Sequence, residues 1–86
     1  MKLDRLKDLR DDENMSQKEI AELLNVAERT YSGYETGSRT IPYEALIKLA
    51  KFYNTSTDYI LGITNDRHFT YEKYAALVKR LGEGKR

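Results

Sequence analysis

Cysteine is absent from the 86 residues, so the chain can build neither a disulfide framework nor a thiolate metal site. Its single histidine, His68, stands in a polar stretch and reads as an exposed side chain. Glycine is scarce, and Gly33 and Gly37 neither flank a lysine nor follow a strand, so no phosphate-cradling loop is present. These absences argue against an enzyme, and no cofactor or metal is expected. No apolar run approaches the roughly 20 residues that span a bilayer. The opening MKLDRLKDLR lacks the apolar core of a secretory leader. A cytoplasmic protein with no membrane partner is the expectation. An excess of one charge is also missing, since the net charge is only +1. Nucleic-acid binding usually leaves a strongly basic footprint. Here the basic surplus lies in residues 66–86, with six basic and three acidic groups, while residues 1–39 are net negative. Any nucleic-acid contact must therefore rest on a few well-placed side chains.

What the chain does have is helix punctuation. Leu3, Leu6 and Leu9 form one apolar stripe, which Asp11-Asp12-Glu13-Asn14 ends. Ser16-Gln17-Lys18-Glu19 is an S-x-x-E capping box, opening a second helix from Gln17 to about Leu24. Asn25 suits a left-handed turn. A third helix is predicted from about Ala27 to Thr36, stopped by Gly37. Pro42 fits the start of a fourth helix carrying Leu46, Leu49, Ala50 and Tyr53. Ser56-Thr57-Asp58 leads into a short fifth helix, Tyr59 to Leu61, closed by Gly62. After a polar linker from Thr64 to His68, Thr70 can cap a sixth helix ended by Gly82. Its apolar stripe is Tyr71, Tyr74, Ala75, Leu77, Val78 and Leu81. Most of the seven tyrosines fall at core positions. The fold class is all-α. The expected division is a helix-turn-helix domain over residues 1–63, then a linker, an amphipathic helix and a charged tail over 64–86.

Helices two and three, joined by a tight turn with the small Ala21 where they cross, have the form of a helix-turn-helix. In that motif the second helix enters the DNA major groove. Ala27, Tyr31 and Tyr34 share the face of the third helix expected in the core. Glu28, Arg29, Ser32, Gly33 and Thr36 fall opposite, with Thr30 beside them, on the face offered to the groove. Arg29 can pair with guanine or hold a phosphate. Glu28 can accept from cytosine N4, orient Arg29, or simply favour the positive end of the helix. Gln17, next to Lys18 in the first turn of the second helix, is placed for a phosphate, where free N–H groups also point. Gly33 either permits close backbone approach or reads nothing. The carboxylates elsewhere, such as Glu19 and Glu22 near Lys18, read as a solvated face.

The chain resembles the phage-repressor helix-turn-helix family, of Cro, lambda-repressor or Xre type, over roughly Leu6 to Gly62. The resemblance rests on Ser16-Gln17, Ile20-Ala21, Val26, Tyr34-Glu35 with Gly37, Pro42, Leu49-Ala50-Lys51, and Ser56-x-Asp58 with Ile60-Leu61-Gly62. It implies a lambda-repressor-like five-helix bundle, with the C-terminal helix as an addition. It also implies a sequence-specific DNA-binding transcriptional regulator, expected to be a repressor that occupies its operator and blocks polymerase. The Ser38-Arg39-Thr40 loop would then run along the duplex backbone, with its N–H groups and Arg39 on phosphate, and Arg10 would pair with Glu35. Related repressors bind near-palindromes as dimers. The last helix's stripe can fold back on the bundle or pair with a second copy, and a homodimer through Tyr71, Tyr74, Leu77, Val78 and Leu81 is the expectation, with double-stranded DNA as partner. Four positions depart from the family pattern. Gly33 replaces a polar or basic residue, Ala27 a Ser or Thr cap, Tyr31 an aliphatic residue and Thr55 a valine. A protein-interaction module or an antitoxin on the same fold is the alternative, because fold does not fix function.

Overall fold

The leucine stripe at the start of the chain sets how the bundle closes. In the computed structural model, which describes residues 2–68 and 71–84 (71–74 and 83–84 by backbone alone), six helices follow in order. They are α1 (Asp4–Asp12), α2 (Gln17–Leu24), α3 (Glu28–Thr36), α4 (Tyr43–Phe52), α5 (Thr57–Ile60) and α6 (Tyr71–Gly84). No strand occurs among the described residues. Leu6 and Leu9 are fully buried, and α1 packs on both α3 and α5. Ile20 and Ala21 of α2, Tyr31 and Tyr34 of α3, Leu46, Leu49 and Ala50 of α4, Tyr53 and Ile60 complete one core.

The turns are built from residues that accept a left-handed backbone. Asn14, Asn25 and Asn54 have φ of 58°, 57° and 54°, and Gly37 closes α3 at φ 87°. Asparagine's short polar side chain makes this conformation accessible without glycine.

Several boundaries differ from expectation. Ala27 is not in the core. It is the extended N-cap of α3 (φ −67°, ψ 149°) and is exposed, because a residue outside the helical backbone does not share the helix's inner face. The α5 helix begins two residues earlier than predicted, because the Ser56 hydroxyl accepts from the Tyr59 N–H at 3.0 Å and starts it there. The α6 helix runs through Gly82 to Gly84. A glycine inside a helix costs only about 1 kcal/mol relative to alanine, too little to force an end. Tyr43, at the start of α4, is 70% exposed, so it is no core residue. Thr70, Lys85 and Arg86 lie outside the described residues.

The polar stretch after α5 is fastened to the bundle. Thr55 is buried, and its hydroxyl donates to the Arg67 carbonyl at 2.6 Å. That bond gives the threonine, found where valine is usual, a reason to be polar. The Arg67 guanidinium reaches Asp12 at 2.5 Å. Arg5 stacks 4.1 Å over the Tyr59 ring and donates to the carbonyls of Tyr59 and Thr64 and to the Asn65 side chain.

Candidate nucleic-acid interface

The helix-turn-helix is assembled from local hydrogen bonds. The Ser16 hydroxyl accepts from the Glu19 N–H at 3.1 Å, and the Glu19 carboxylate accepts from the Ser16 N–H at 2.9 Å. This reciprocal cap satisfies two N–H groups that would otherwise lack partners. At the other end of α2, Asn25 turns the chain and Val26 N–H donates to the Ala21 carbonyl at 3.0 Å. Ala21 is almost wholly buried where α2 meets α3. A larger side chain there would separate the two helices.

One ion pair connects α1 to α3. Arg10 Nε donates to Glu35 Oε2 at 2.8 Å and Arg10 Nη2 to Glu35 Oε1 at 3.2 Å, a two-pronged contact. Arg10 Nη1 also donates to the Met15 carbonyl at 3.0 Å, which ties in the loop before α2. Gln17 Nε2 donates to the same carboxylate at 3.1 Å. Gln17 thus spends its amide N–H on Glu35, a partner its position at the helix start did not suggest. Burial pushes the Glu35 carboxyl upward in pKa, but Arg10, then the Tyr31 hydroxyl, then Gln17 outweigh it, and the net shift is downward. Tyr31 is fully buried, its ring edge-on to Tyr34. Burial first, and then the neighbouring Glu35, raise its hydroxyl's pKa well above the ordinary value. Although the hydroxyl lies beside that carboxylate, it completes no hydrogen bond of good geometry.

With α3 held from behind, its front is open. Glu28, Arg29 and Thr36 are exposed, and Thr30 and Ser32 are half-buried. Among the described residues, Glu28 and Arg29 enter no ion pair. Gly33 differs from its neighbours on this face in being buried. The Ser38 and Arg39 side chains lie over it. Ser38, Arg39 and Thr40 are exposed in the loop after α3, as is Lys18 on α2. The Thr36 hydroxyl lies 3.3 Å from that of Ser38, and Arg39 N–H donates to the Gly33 carbonyl at 3.1 Å. The loop is therefore tied to the last turn of α3.

An open cleft of about 490 Å³ brings Gln17 and Thr36 together with Lys2 and Lys7 and with the carboxylates of Asp4 and Asp8. These two lysines escaped sequence reasoning. Lys7 follows Leu6 on the polar side of α1, and no motif marks it as adjacent to α2. On α6, Leu77 is half-buried, while Val78 and Leu81 are 49% and 54% exposed. The side chains of Tyr71 and Tyr74 lie outside the described residues. Among the described residues, no helix is long and apolar enough to cross a membrane, and no cluster of acidic or histidine side chains could hold a metal.

Comparison with known proteins agrees with this geometry. A family model described as helix-turn-helix matches residues 6–60. The chain belongs to this helix-turn-helix family, of the lambda-repressor or Xre type. Its relatives include two proteins of Bacillus subtilis (strain 168). One is the HTH-type transcriptional regulator AnsR, 47% identical over 62 residues, 72% of this chain and 53% of AnsR. The other is the uncharacterized HTH-type transcriptional regulator YobD, 40% identical over 62 residues, 72% of this chain and 55% of YobD. The cryptic phage CTXphi transcriptional repressor RstR of Vibrio cholerae is 39% identical over 49 residues, 57% of this chain and 44% of RstR. The family and these relatives are transcriptional regulators, not enzymes. The chain spans about half the length of the curated relatives AnsR and YobD. No solved structure gives a significant match.

Proposed function

We propose that the protein is a sequence-specific DNA-binding transcriptional regulator, a repressor that reads a near-palindromic operator as a dimer in the cytoplasm. The observation that carries this reading is the contrast on α3. Its inner face is locked by Arg10, Glu35 and Gln17, while Glu28 and Arg29 on its outer face have no ion pair among the described residues. A helix held this way can enter the major groove without rearranging. Arg29 is the base reader in this proposal, because its fork can meet guanine O6 and N7 together. Thr30, Ser32 and Thr36 flank it. Gln17 and Lys18 at the start of α2, with Ser38 and Thr40, hold phosphates and set the register. The exposed Val78 and Leu81, with Leu77, Tyr71 and Tyr74, form the dimer seam along α6, which places two heads about one helical turn apart. Occupying the operator would then block polymerase.

Selection of bound duplexes from a random DNA pool tests this. A palindromic motif that loses one base preference in Arg29→Ala is the expected result. No enrichment at low salt, where phosphate contacts are strongest, would end the DNA reading. It would turn the search to a protein partner of the same face, as for an interaction module or an antitoxin.

A further inference from the structure

Gly33 lies where a reading side chain belongs and supplies none. It shares the outer face of α3 with Arg29 and Thr36, one turn to either side. Glycine is also unfavourable inside a helix relative to alanine. Its backbone there is ordinary helix, not a left-handed turn, so conformational freedom does not explain it. Space does. A Cβ at Gly33 would lie 2.8 Å from Arg39 Cγ, 2.9 Å from Arg39 Cδ and 3.0 Å from Ser38 Oγ. The stem of Arg39 therefore occupies the volume that a side chain at position 33 would fill.

We propose that Arg39, laid across the recognition helix in the notch left by Gly33, reads a base edge in place of a side chain from the helix itself. The inference rests on the DNA-binding reading above. Three observations support it. The backbone of Arg39 is fixed, since its N–H donates to the Gly33 carbonyl at 3.1 Å. Its stem lies over Gly33, with Cγ and Cδ within 3 Å of where a Cβ would stand, on the face of α3 that carries Arg29. The Arg39 guanidinium has no acidic partner among the described residues. A phosphate contact needs only a mobile charge at the edge of the duplex. A stem seated on the recognition helix directs a planar, five-donor fork toward the groove floor, where guanine offers O6 and N7.

The test repeats the selection with Arg39→Ala, Arg39→Lys and Gly33→Ala, each checked for an unchanged helical spectrum. Arg39→Ala is expected to lose about a tenfold preference for guanine at one position of each half-site, with the other positions intact. Arg39→Lys keeps the charge without the fork and should recover only part of that preference. Gly33→Ala, whose methyl group meets the Arg39 stem, should weaken the same position although residue 39 is untouched. The proposal fails if Arg39→Ala lowers affinity evenly across sequences, reduces the salt slope by about one and is fully rescued by lysine, the pattern of a phosphate contact. It also fails if Gly33→Ala leaves the motif unchanged. A parent protein that selects no motif fails the DNA-binding reading itself, a result distinct from either of these.

Discussion

The two faces of α3 use the same chemistry to opposite ends. On the inner face, Glu35 meets Arg10, with side chains only 6% and 12% exposed. On the outer face, Glu28 and Arg29 are exposed and form no ion pair among the described residues. Residue type does not separate structural charge from available charge; burial and bonding do. The contrast can be broken most sharply at Arg10. Arg10→Ala leaves the Glu35 carboxylate buried with Gln17 as its remaining donor. Removing one partner of a buried pair costs about 3–5 kcal/mol. At about 4–8 °C per kcal/mol for a domain of this size, the melting temperature should fall by roughly 12 °C or more. Arg29→Ala should stay within about 0.5 kcal/mol of the parent. Thermal melts by circular dichroism of the two variants decide it. Equal melting temperatures would erase the distinction between the faces.

The same pair makes an expected pH dependence. Glu35 has a folded-state pKa below its ordinary value of 4.5. Its contribution to stability is therefore fully present above pH 4.5, and it is lost as the pH falls from there through the folded pKa, because the unfolded chain takes up the proton first. Melts of the parent should weaken over that acidic window. Glu35→Gln should be less stable at neutral pH and flatter through the window. An unchanged slope would mean that other carboxylates carry the acid sensitivity.

Much of this contrast is legible in the sequence, for identifiable reasons. The Ser16–Glu19 box, Asn25 and Gly37 act within a few residues of themselves, so helix ends follow from local chemistry. Arg10 and Glu35 are 25 residues apart, and only the family resemblance linked them before their contact was seen. Gln17 shows what local reading misses. Its place at a helix start suggests a phosphate, and no local pattern indicates that its amide also donates to a buried carboxylate from another helix. Gly33 and Thr55 are similar cases. Each departs from the family pattern, and the reason, the Arg39 stem for one and the Arg67 carbonyl for the other, comes from a residue outside its own helix or turn. The lysines at positions 2 and 7 carry no motif, and only the folded chain brings them to one cleft with Gln17 and Thr36.

A smaller change sharpens the comparison from the outer side. Ala27 already has the extended backbone of an N-cap but offers no side-chain oxygen, so the first N–H groups of α3 lack a side-chain cap. Ala27→Ser should supply one and stabilise the fold by about 1 kcal/mol. The gain would appear as a rise of a few degrees in melting temperature. No gain would mean that solvent serves those N–H groups equally well.

The smallest expected effect is at Glu28, and there the two roles of the outer face compete directly. Glu28 is the acidic residue in the first turn of α3, and Ala27 before it provides no cap. A negative charge at that end of a helix is worth about 0.3–1 kcal/mol at low ionic strength and is screened by salt. Glu28→Gln should therefore destabilise the protein by no more than that, with the difference shrinking as salt is raised. On DNA the sign reverses. A carboxylate entering the groove is repelled by phosphates unless cytosine N4 donates to it. If Glu28 only supports the helix, Glu28→Gln should bind every duplex somewhat more tightly, with the selected motif unchanged. If it reads cytosine, the variant should lose preference at one position. Measuring stability and sequence preference on this one variant separates a charge that belongs to the helix from a charge that belongs to the interface.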